Sequence, residues 1–213
     1  MAVKHVALEG SLVTLEPMAI EHAPELLGAA STEETFWYFS RPPQPFDESG
    51  MYRYCAALID DPTNLPHVVR DRSTRRIIGA TSYCSIRVEN RGVEIGWTWY
   101  DPEYRGTGVN PECKRLLLRR AFETDLFDTG PAIRVELKTD ARNERSRAAI
   151  LKLGAKFEGV LRRHVIMSDG YLRDSAIYSI VPEEWPEIDA ELGRRIDAAP
   201  YAKREPWRSE PRA

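Results

Sequence analysis

A short loop with two glycines precedes the longest helical pattern of the chain, and its residue types suit the binding of an anion. Residues 97–110 read W-T-W-Y-D-P-E-Y-R-G-T-G-V-N. Gly106 and Gly108 allow positive φ angles and bring backbone N–H groups close to a ligand. Asn110 is a preferred N-cap and Pro111 suits the first helical position, so the loop would meet a helix N-terminus with free N–H groups. We expect a phosphate or pyrophosphate site; the alternative is a strand–turn–helix connection whose glycines serve geometry alone.

A second stretch with chemically useful side chains is aromatic and ends in a double proline. Residues 35–43 read T-F-W-Y-F-S-R-P-P. Side chains this bulky, followed by prolines, do not suit a regular helix or strand, and buried aromatic side chains mostly serve packing. We expect Trp37, Tyr38 and Arg41 to form a wall that contacts a substrate. A hydrophobic plug in the core is the alternative.

Apolar periodicity and turn signals predict the elements that would position these residues. Predicted strands span 12–16, 65–70, 77–88, 92–100, 133–139, 157–167 and 171–181. Predicted helices span 20–30, 47–59, 111–127 and 143–153. A helix between strands 92–100 and 133–139 makes a crossover, which predicts that these two strands are parallel. The predicted class is α/β or α+β with a mixed sheet.

Composition limits the class and the partners. With 213 residues and a formal net charge of −3, the chain can bury its own core and gives no electrostatic argument for a nucleic-acid or membrane partner. Cys55, Cys84 and Cys113 lack metal-binding or paired spacing and indicate reduced thiols, so we expect a cytoplasmic protein without a metal site. We predict one domain over residues 1–190 and a polar, proline-containing tail over 191–213.

Four stretches in this order resemble the GNAT superfamily of acyl-CoA-dependent N-acyltransferases, and more closely its RimJ/RimL-type branch. They are E-I-G-W-T-W at 94–99, D-P-E-Y-R-G-T-G-V-N at 101–110, N-E-R-S-R-A-A-I-L-K-L-G-A-K-F-E-G at 143–159 and D-G-Y-L-R-D-S-A-I-Y-S-I at 169–180. With the order of elements, the likeness covers residues 11–187. It implies a mixed, mostly antiparallel sheet of about seven strands with a central splayed parallel pair, flanked by about four helices.

The resemblance implies acetyl-CoA as the acyl donor and assigns donor-binding roles. The pyrophosphate would lie on the backbone N–H groups of residues 105–110, and the pantetheine arm would pass between the two parallel strands. Amides near residues 97–99 would polarise the thioester carbonyl. The implied donor-binding residues are Trp97, Thr98, Trp99, Arg105, Gly106, Thr107, Gly108, Val109, Asn110, Asn143 and Ser146.

Two positions depart from the family pattern. Glu103 stands where the loop usually begins with Arg or Gln, which removes a polar loop-closing contact but leaves the backbone N–H groups in place. Ile150 stands where the family commonly has a general-acid tyrosine. The usual residue that protonates the leaving thiolate is therefore absent.

Attack of an amine on a thioester needs a group that removes a proton from the amine, because most amines are protonated near neutral pH. Glu94 is our candidate base, and a sheet-surface glutamate paired with an arginine is the alternative. Strand alternation predicts that Glu94, Gly96 and Thr98 share one face, opposite Val93, Ile95, Trp97 and Trp99.

Other polar residues carry more limited expectations. Ser146 resembles the serine proposed as general acid in RimL-type enzymes, with capping of its own helix as the alternative. His164 is a candidate second base or acceptor contact. Arg173 and Asp174 are expected to pair locally. Lys114 is expected on a solvated helix face together with Arg115, Arg119 and Arg120, and the alternative is that one of the four reaches an adenosine phosphate.

The predicted function is acetyl-CoA-dependent N-acetyl transfer to a primary amine, by direct transfer in a ternary complex. The amine could belong to a protein N-terminus or to a small molecule, and the sequence does not choose between them. A non-catalytic acyl-CoA-binding regulator is the alternative. A homodimer is left open.

Overall fold

The structure is a computed structural model and describes residues 3–199. The strands are β1 (Leu8–Glu9), β2 (Val13–Pro17), β3 (Leu65–Asp71), β4 (Ile77–Arg87), β5 (Gly92–Tyr100), β6 (Arg134–Asp140), β7 (Lys156–Ile166) and β8 (Leu172–Ile180). The helices are α1 (Ala23–Ala30), α2 (Glu48–Ile59), α3 (Val109–Glu123), α4 (Glu144–Leu153) and α5 (Trp185–Ala198). Each predicted strand lies within one residue of an observed strand at both ends; the short β1 was not predicted.

One mixed sheet of eight strands has the order β1-β2-β3-β4-β5-β6-β8-β7. β5 and β6 form its parallel pair, and the other neighbouring strands are antiparallel. The prediction of a mostly antiparallel sheet with a central parallel pair is confirmed. The described residues add β1 and α5 to the predicted set.

The sheet separates two apolar clusters. On one face α1 and α2 pack through Leu26, Met51 and Tyr54 against β3, β4 and Trp99. On the other face α3, α4 and α5 pack against the same sheet, with Leu117 and Leu192 fully buried. The cavity described below is lined by residues from both clusters.

β5 contains a bulge that overturns part of the predicted alternation. Ala80 of β4 pairs with Trp99, whereas Ser82 pairs with Gly96, so one extra residue of β5 lies between the two pairs. Trp97 has a φ of 50°, and such an extra residue reverses the faces of the residues after it. Trp97 and Trp99 therefore pack with α1 and α2, whereas Ile95 packs with α3.

The beginning and the end of α3 differ from the prediction. The helix begins at Val109 with Gly108 at the N-cap, not at Pro111 with Asn110 at the N-cap. The Asn110 side chain instead accepts a hydrogen bond from the Tyr100 hydroxyl at 3.1 Å. The helix ends at Glu123 rather than at 127, because the next residue has extended backbone angles.

A carboxylate in the first turn of α3 holds the start of β2. Glu112 is 4% exposed, and it accepts hydrogen bonds from the Ser11, Leu12 and Val13 backbone N–H groups at 2.7–2.8 Å. The Ser11 hydroxyl donates to the same side chain at 2.6 Å. The helix that follows the glycine loop is thereby fixed to the N-terminal strands.

The predicted tail begins inside a helix. α5 extends to Ala198, and Leu192 is fully buried. Arg115 of α3 donates to Asp189 of α5 at 2.7 Å. The folded part therefore continues past residue 190, and residues 200–213 of the predicted tail lie outside the described residues.

Candidate active site

A cavity of about 690 Å³ lies where β5 and β6 diverge. The two strands pair only at Gly92, Val93 and Glu94 of β5, opposite residues 134–136 of β6. Beyond Glu94 both strands continue without pairing, and the cavity is lined by residues of each, including Ile95 and Leu137. The predicted splay of the parallel pair is thus an open passage between the two faces of the sheet.

One end of the cavity, here called the donor end, is formed by the glycine loop and the N-terminus of α3. Gly106 has a φ of 78° and lines the cavity. The backbone N–H groups of Gly106, Thr107, Gly108 and Asn110 have no acceptor among the described residues. Free N–H groups at the positive end of a helix dipole favour an anion.

The two glycines of the loop differ in backbone conformation and in the space around them. Gly108 has an ordinary φ of −67°, so the expectation of a positive φ there is wrong. A Cβ at Gly108 would lie 2.9 Å from Cδ1 of Leu12, whereas a Cβ at Gly106 would meet nothing within 4 Å. Gly106 is needed for its backbone angle, whereas Gly108 lies in close contact with the Leu12 side chain.

Two arginines add positive charge to the donor end. Arg105 and Arg145 both line the cavity. Burial lowers the pKa of Arg105, and the positive charge of Arg145 lowers it further. Neither arginine has an ion-pair partner within the described part of the chain. The donor end therefore suits a ligand with more than one negative charge, such as a pyrophosphate.

The N-terminus of α4 contributes Asn143 and Ser146. The Asn143 side chain accepts the Ser146 backbone N–H at 3.0 Å, which confirms Asn143 as the N-cap. The Ser146 hydroxyl takes no part in this cap, so the alternative role of Ser146 as a helix cap is wrong. That hydroxyl has no partner among residues 3–199, and Ser146 lines the cavity together with Ile150.

A buried lysine contacts the β5 bulge. Lys114 is 6% exposed rather than solvated, and its Nζ donates to Thr98 Oγ1 at 2.8 Å. Burial lowers the pKa of Lys114 to about 8. Thr98 Oγ1 also lies 2.8 Å from Thr81 Oγ1. An ammonium group is therefore held beside the Thr98 hydroxyl, in the cavity wall.

Glu94 lies at the point where the two parallel strands separate. It is 6% exposed, and Lys138 of β6 is 3.0 Å from its Oε2. The Ser85 hydroxyl donates to the same carboxylate at 3.2 Å. The expected alternative partner was an arginine, whereas the observed partner is a lysine. Glu94 lines the cavity, as a base acting there must.

The other end of the cavity, here called the acceptor end, is formed by the aromatic stretch and by side chains of β6 and β8. Tyr38, Phe39 and Arg41 line it. The rings of Phe39 and Trp97 have centroids 5.8 Å apart. Trp37 is 70% exposed and is not part of the lining. Of the three residues predicted to contact a substrate, Tyr38 and Arg41 line the cavity and Trp37 does not.

Arg173 also lies at the acceptor end of the cavity. The sequence predicts only that it pairs locally with Asp174. It does not pair with Asp174, which instead accepts the Arg163 backbone N–H at 2.6 Å. Arg173 is 7% exposed and lines the cavity. Its Nη1 donates to the Tyr38 carbonyl at 3.4 Å. An arginine in the sequence of a hairpin strand gives no signal of such burial.

His164 is held beside this arginine but outside the lining. Its Nδ1 lies 3.1 Å from the Ser175 hydroxyl. The residue is exposed, and partial desolvation together with the charges of Lys138 and Arg173 lowers the pKa of His164, whereas the charge of Glu94 raises it. The cations nearest to His164 therefore disfavour its protonated form.

Residues 3–199 offer neither a metal site nor a membrane-spanning helix. No group of His, Cys, Asp and Glu side chains in this part could hold a metal ion. None of its helices combines the length and the apolar character that crossing a membrane requires.

Comparisons with known proteins agree with this geometry. Residues 13–156 match the family described as "Acetyltransferase (GNAT) domain". The chain is 25% identical over 177 residues to the uncharacterised N-acetyltransferase YoaA of Bacillus subtilis (strain 168), and the match covers 82% of this chain and 96% of the relative.

Several solved structures of acetyltransferases are also similar to this chain. A T. thermophilus protein assigned to the acetyltransferases is 34% identical, with a TM-score of 0.83, and the match covers 92% of this chain and all of that one. A GCN5-related N-acetyltransferase from Brucella melitensis is 25% identical, with a TM-score of 0.81 and coverage of 92% and 87%. Mycobacterium smegmatis RimJ, solved with CoA disulfide, shares the fold at 20% identity, a TM-score of 0.67 and coverage of 85% and 88%. The chain belongs to the GNAT family of acetyltransferases.

Proposed function

We propose that the protein transfers an acetyl group from acetyl-CoA to a primary amine, directly and within a ternary complex. The observation that carries this proposal is the continuous cavity. It joins free backbone N–H groups at the donor end to a buried carboxylate, Glu94, at the divergence of β5 and β6. Holding a thioester and an amine in one cavity supplies much of the acceleration that such a reaction needs.

The donor fits the residues present at its end of the cavity. The pyrophosphate would bind the N–H groups of residues 106–110, with Arg105 and Arg145 beside it, and the pantetheine arm would occupy the gap between β5 and β6. Asn143 and Ser146 line the same cavity and would contact that arm. Acetyl-CoA supplies an activated acetyl group and a thiolate leaving group.

Each proton transfer has a candidate residue. Glu94 takes the proton of the attacking ammonium, directly or through a water molecule, and the neutral amine forms the C–N bond. The carbonyl oxygen becomes negative next to the amides of residues 97–99 and the Lys114 ammonium, which stabilise it. The C–S bond then breaks, Ser146 donates a proton to the departing thiolate, and the Ser146 hydroxyl is restored by the second proton of the attacking nitrogen, which passes to it directly or through a water molecule.

Two finer points are also proposals. The RimJ/RimL-type assignment is supported by the fold shared with RimJ and leaves both a protein N-terminus and a small-molecule amine as acceptors. A cytoplasmic location is supported by Cys55, Cys84 and Cys113, which are free thiols.

The test combines binding with turnover. Saturating acetyl-CoA should raise the melting temperature, whereas ATP and NAD should not, because binding to the native state stabilises it by mass action. A panel of amines should then release the CoA thiol. No shift with acetyl-CoA would refute the proposal, and binding without thiol release from any amine would favour the non-catalytic alternative.

A further inference from the structure

The acceptor end holds a buried cation whose hydrogen-bonding capacity is only partly used. Arg173 is 7% exposed, and its Nε has no hydrogen-bond partner among the described residues. The remaining contact, Nη1 to the Tyr38 carbonyl, is long at 3.4 Å. A buried guanidinium with an unpaired N–H normally faces an anion or another strong acceptor.

The nearby carboxylates already have cations of their own. The carboxylates that act on the charge of Arg173 are Asp140 and Glu94. Asp140 is ion-paired with Arg142 at 2.8 Å, and Glu94 is ion-paired with Lys138 at 3.0 Å. Arg173 itself has no carboxylate within ion-pairing distance in the described part of the chain. The positive charge of Arg173 is therefore left without a counter-ion among the described residues.

Other cations near Arg173 also favour the binding of an anion. His164 is exposed, and its pKa is lowered by partial desolvation and then by the charges of Lys138 and Arg173, while the charge of Glu94 raises it. Arg41 adds a further cation to the lining. A planar guanidinium is suited to the two oxygens of a carboxylate.

The position of Arg173 relative to the proposed base sets the shape of the ligand. Glu94 is on β5 and Arg173 is on β8, and β6 is the strand between them. Glu94 pairs with Glu136, which pairs with Ser179, so Arg173 also lies six residues further along β8. Two strand spacings are roughly 10 Å and six residues along a strand are roughly 20 Å, so it is the two long side chains that bring the charges close enough for Glu94 to act on Arg173. An elongated acceptor can therefore present its amine to Glu94 and an anionic group to Arg173.

We propose that the acceptor is a small amine that also carries a carboxylate, and that Arg173 binds this carboxylate. The inference rests on the proposed N-acetyltransferase function and names its substrate class. Arg173 is then a specificity-determining residue, because it contacts a part of the acceptor that does not react. Lys138 offsets the charge of Glu94, so the carboxylate is attracted by Arg173 more than it is repelled by Glu94.

The experiment compares each amino acid with its own amide. The probes are phenylalanine and a homologous series from glycine to 6-aminohexanoate, each tested beside the matching amide by release of the CoA thiol. Amide formation makes an α-amine less basic, which by itself favours the amide, so a preference for the acid cannot come from amine protonation. For at least one pair, kcat/KM should be about 10- to 100-fold higher for the acid, the size of a charge-assisted hydrogen bond.

Substitutions then locate the effect. Arg173→Gln should remove the preference through KM of the acid and leave the amide within about twofold, while Arg173→Lys should keep part of the preference. Arg162→Gln, which changes an exposed arginine of the same hairpin, is the matched control and should leave both substrates unchanged.

The outcomes separate this inference from the function on which it rests. Equal use of acids and amides by the unmodified protein, or equal loss of both in Arg173→Gln, would overturn the carboxylate site while leaving the acetyltransferase proposal intact. The comparison on the unmodified protein stands even if Arg173→Gln does not fold. Absence of thiol release with every acid and amide, together with no thermal shift by acetyl-CoA, would instead overturn the proposed function.

Discussion

The donor end and the acceptor end of the cavity are built on different principles. The donor end uses the free backbone N–H groups of Gly106, Thr107, Gly108 and Asn110, at the N-terminus of α3. The acceptor end uses side chains from separate elements, Glu94 on β5, Lys138 on β6 and Arg173 on β8, with Tyr38 from the aromatic stretch. A ligand common to a family can be held by backbone geometry, whereas a particular acceptor needs particular side chains. Donor and acceptor binding should therefore respond to different substitutions.

The largest expected effect is a loss of catalytic rate without a loss of acetyl-CoA binding. Glu94→Gln keeps the shape of the side chain but removes the base, so kcat should fall about 100-fold or more while acetyl-CoA binding is unchanged. Steady-state kinetics across pH and a thermal shift with acetyl-CoA measure the two effects. Glu136→Gln is the control, because Glu136 pairs with Glu94 in register but is not part of the cavity lining. Full activity of Glu94→Gln at every pH would remove Glu94 as the base.

A smaller effect is expected from the donor loop. Gly106→Val forces a β-branched residue to a φ of 78°, which costs about 1–2 kcal/mol or distorts the loop. The affinity for acetyl-CoA should fall about tenfold or more by calorimetry, because misplaced N–H groups no longer converge on the pyrophosphate.

The matched control for the loop lies in the hairpin between β7 and β8. Gly170 has a φ of 83° and, like Gly106, has open space around it. Gly170→Val should cost similar strain without a change in acetyl-CoA affinity. Equal loss of affinity in both variants would mean that general destabilisation, not the donor loop, explains the result.

The smallest expected effect concerns the proposed acid. A thiolate is a good leaving group, since thiols have an unperturbed pKa near 8.5, so Ser146→Ala should lower kcat by only about threefold. Chemical denaturation should show unchanged stability, because the helix cap uses the Asn143 side chain and the Ser146 backbone. Asn143→Ala, by contrast, should lose about 1 kcal/mol of stability. A loss of stability in Ser146→Ala without a change in kcat would contradict the proposed role.

The sequence predicts the helices and strands well because they follow local rules. Strand alternation, turn residues and the Asn143 cap depend on neighbours along the chain. The glycine loop can be recognised from the sequence for the same reason, whereas the residue at which α3 begins was predicted incorrectly. Asn110 could cap a helix, and the structure instead uses its side chain to accept from the Tyr100 hydroxyl.

The features that the sequence misses depend on distant residues. Trp97 takes a positive φ, which no rule predicts for a bulky residue, and this bulge changes the face of every later residue of β5. Lys114 and Arg173 belong to residue types that are normally solvated, so their burial becomes visible only when the opposite wall is known.

The hydrogen bonds of Glu112 show that the family likeness and the folding unit have different limits. The family match begins at residue 13, but Glu112 also holds the Ser11 and Leu12 backbone N–H groups. The match ends at residue 156, before β8, which lies between β6 and β7. Trimming the gene to the matched segment would therefore bury a carboxylate without part of its donors and remove an interior strand. The segment that identifies the family is shorter than the set of elements that hold one another in place.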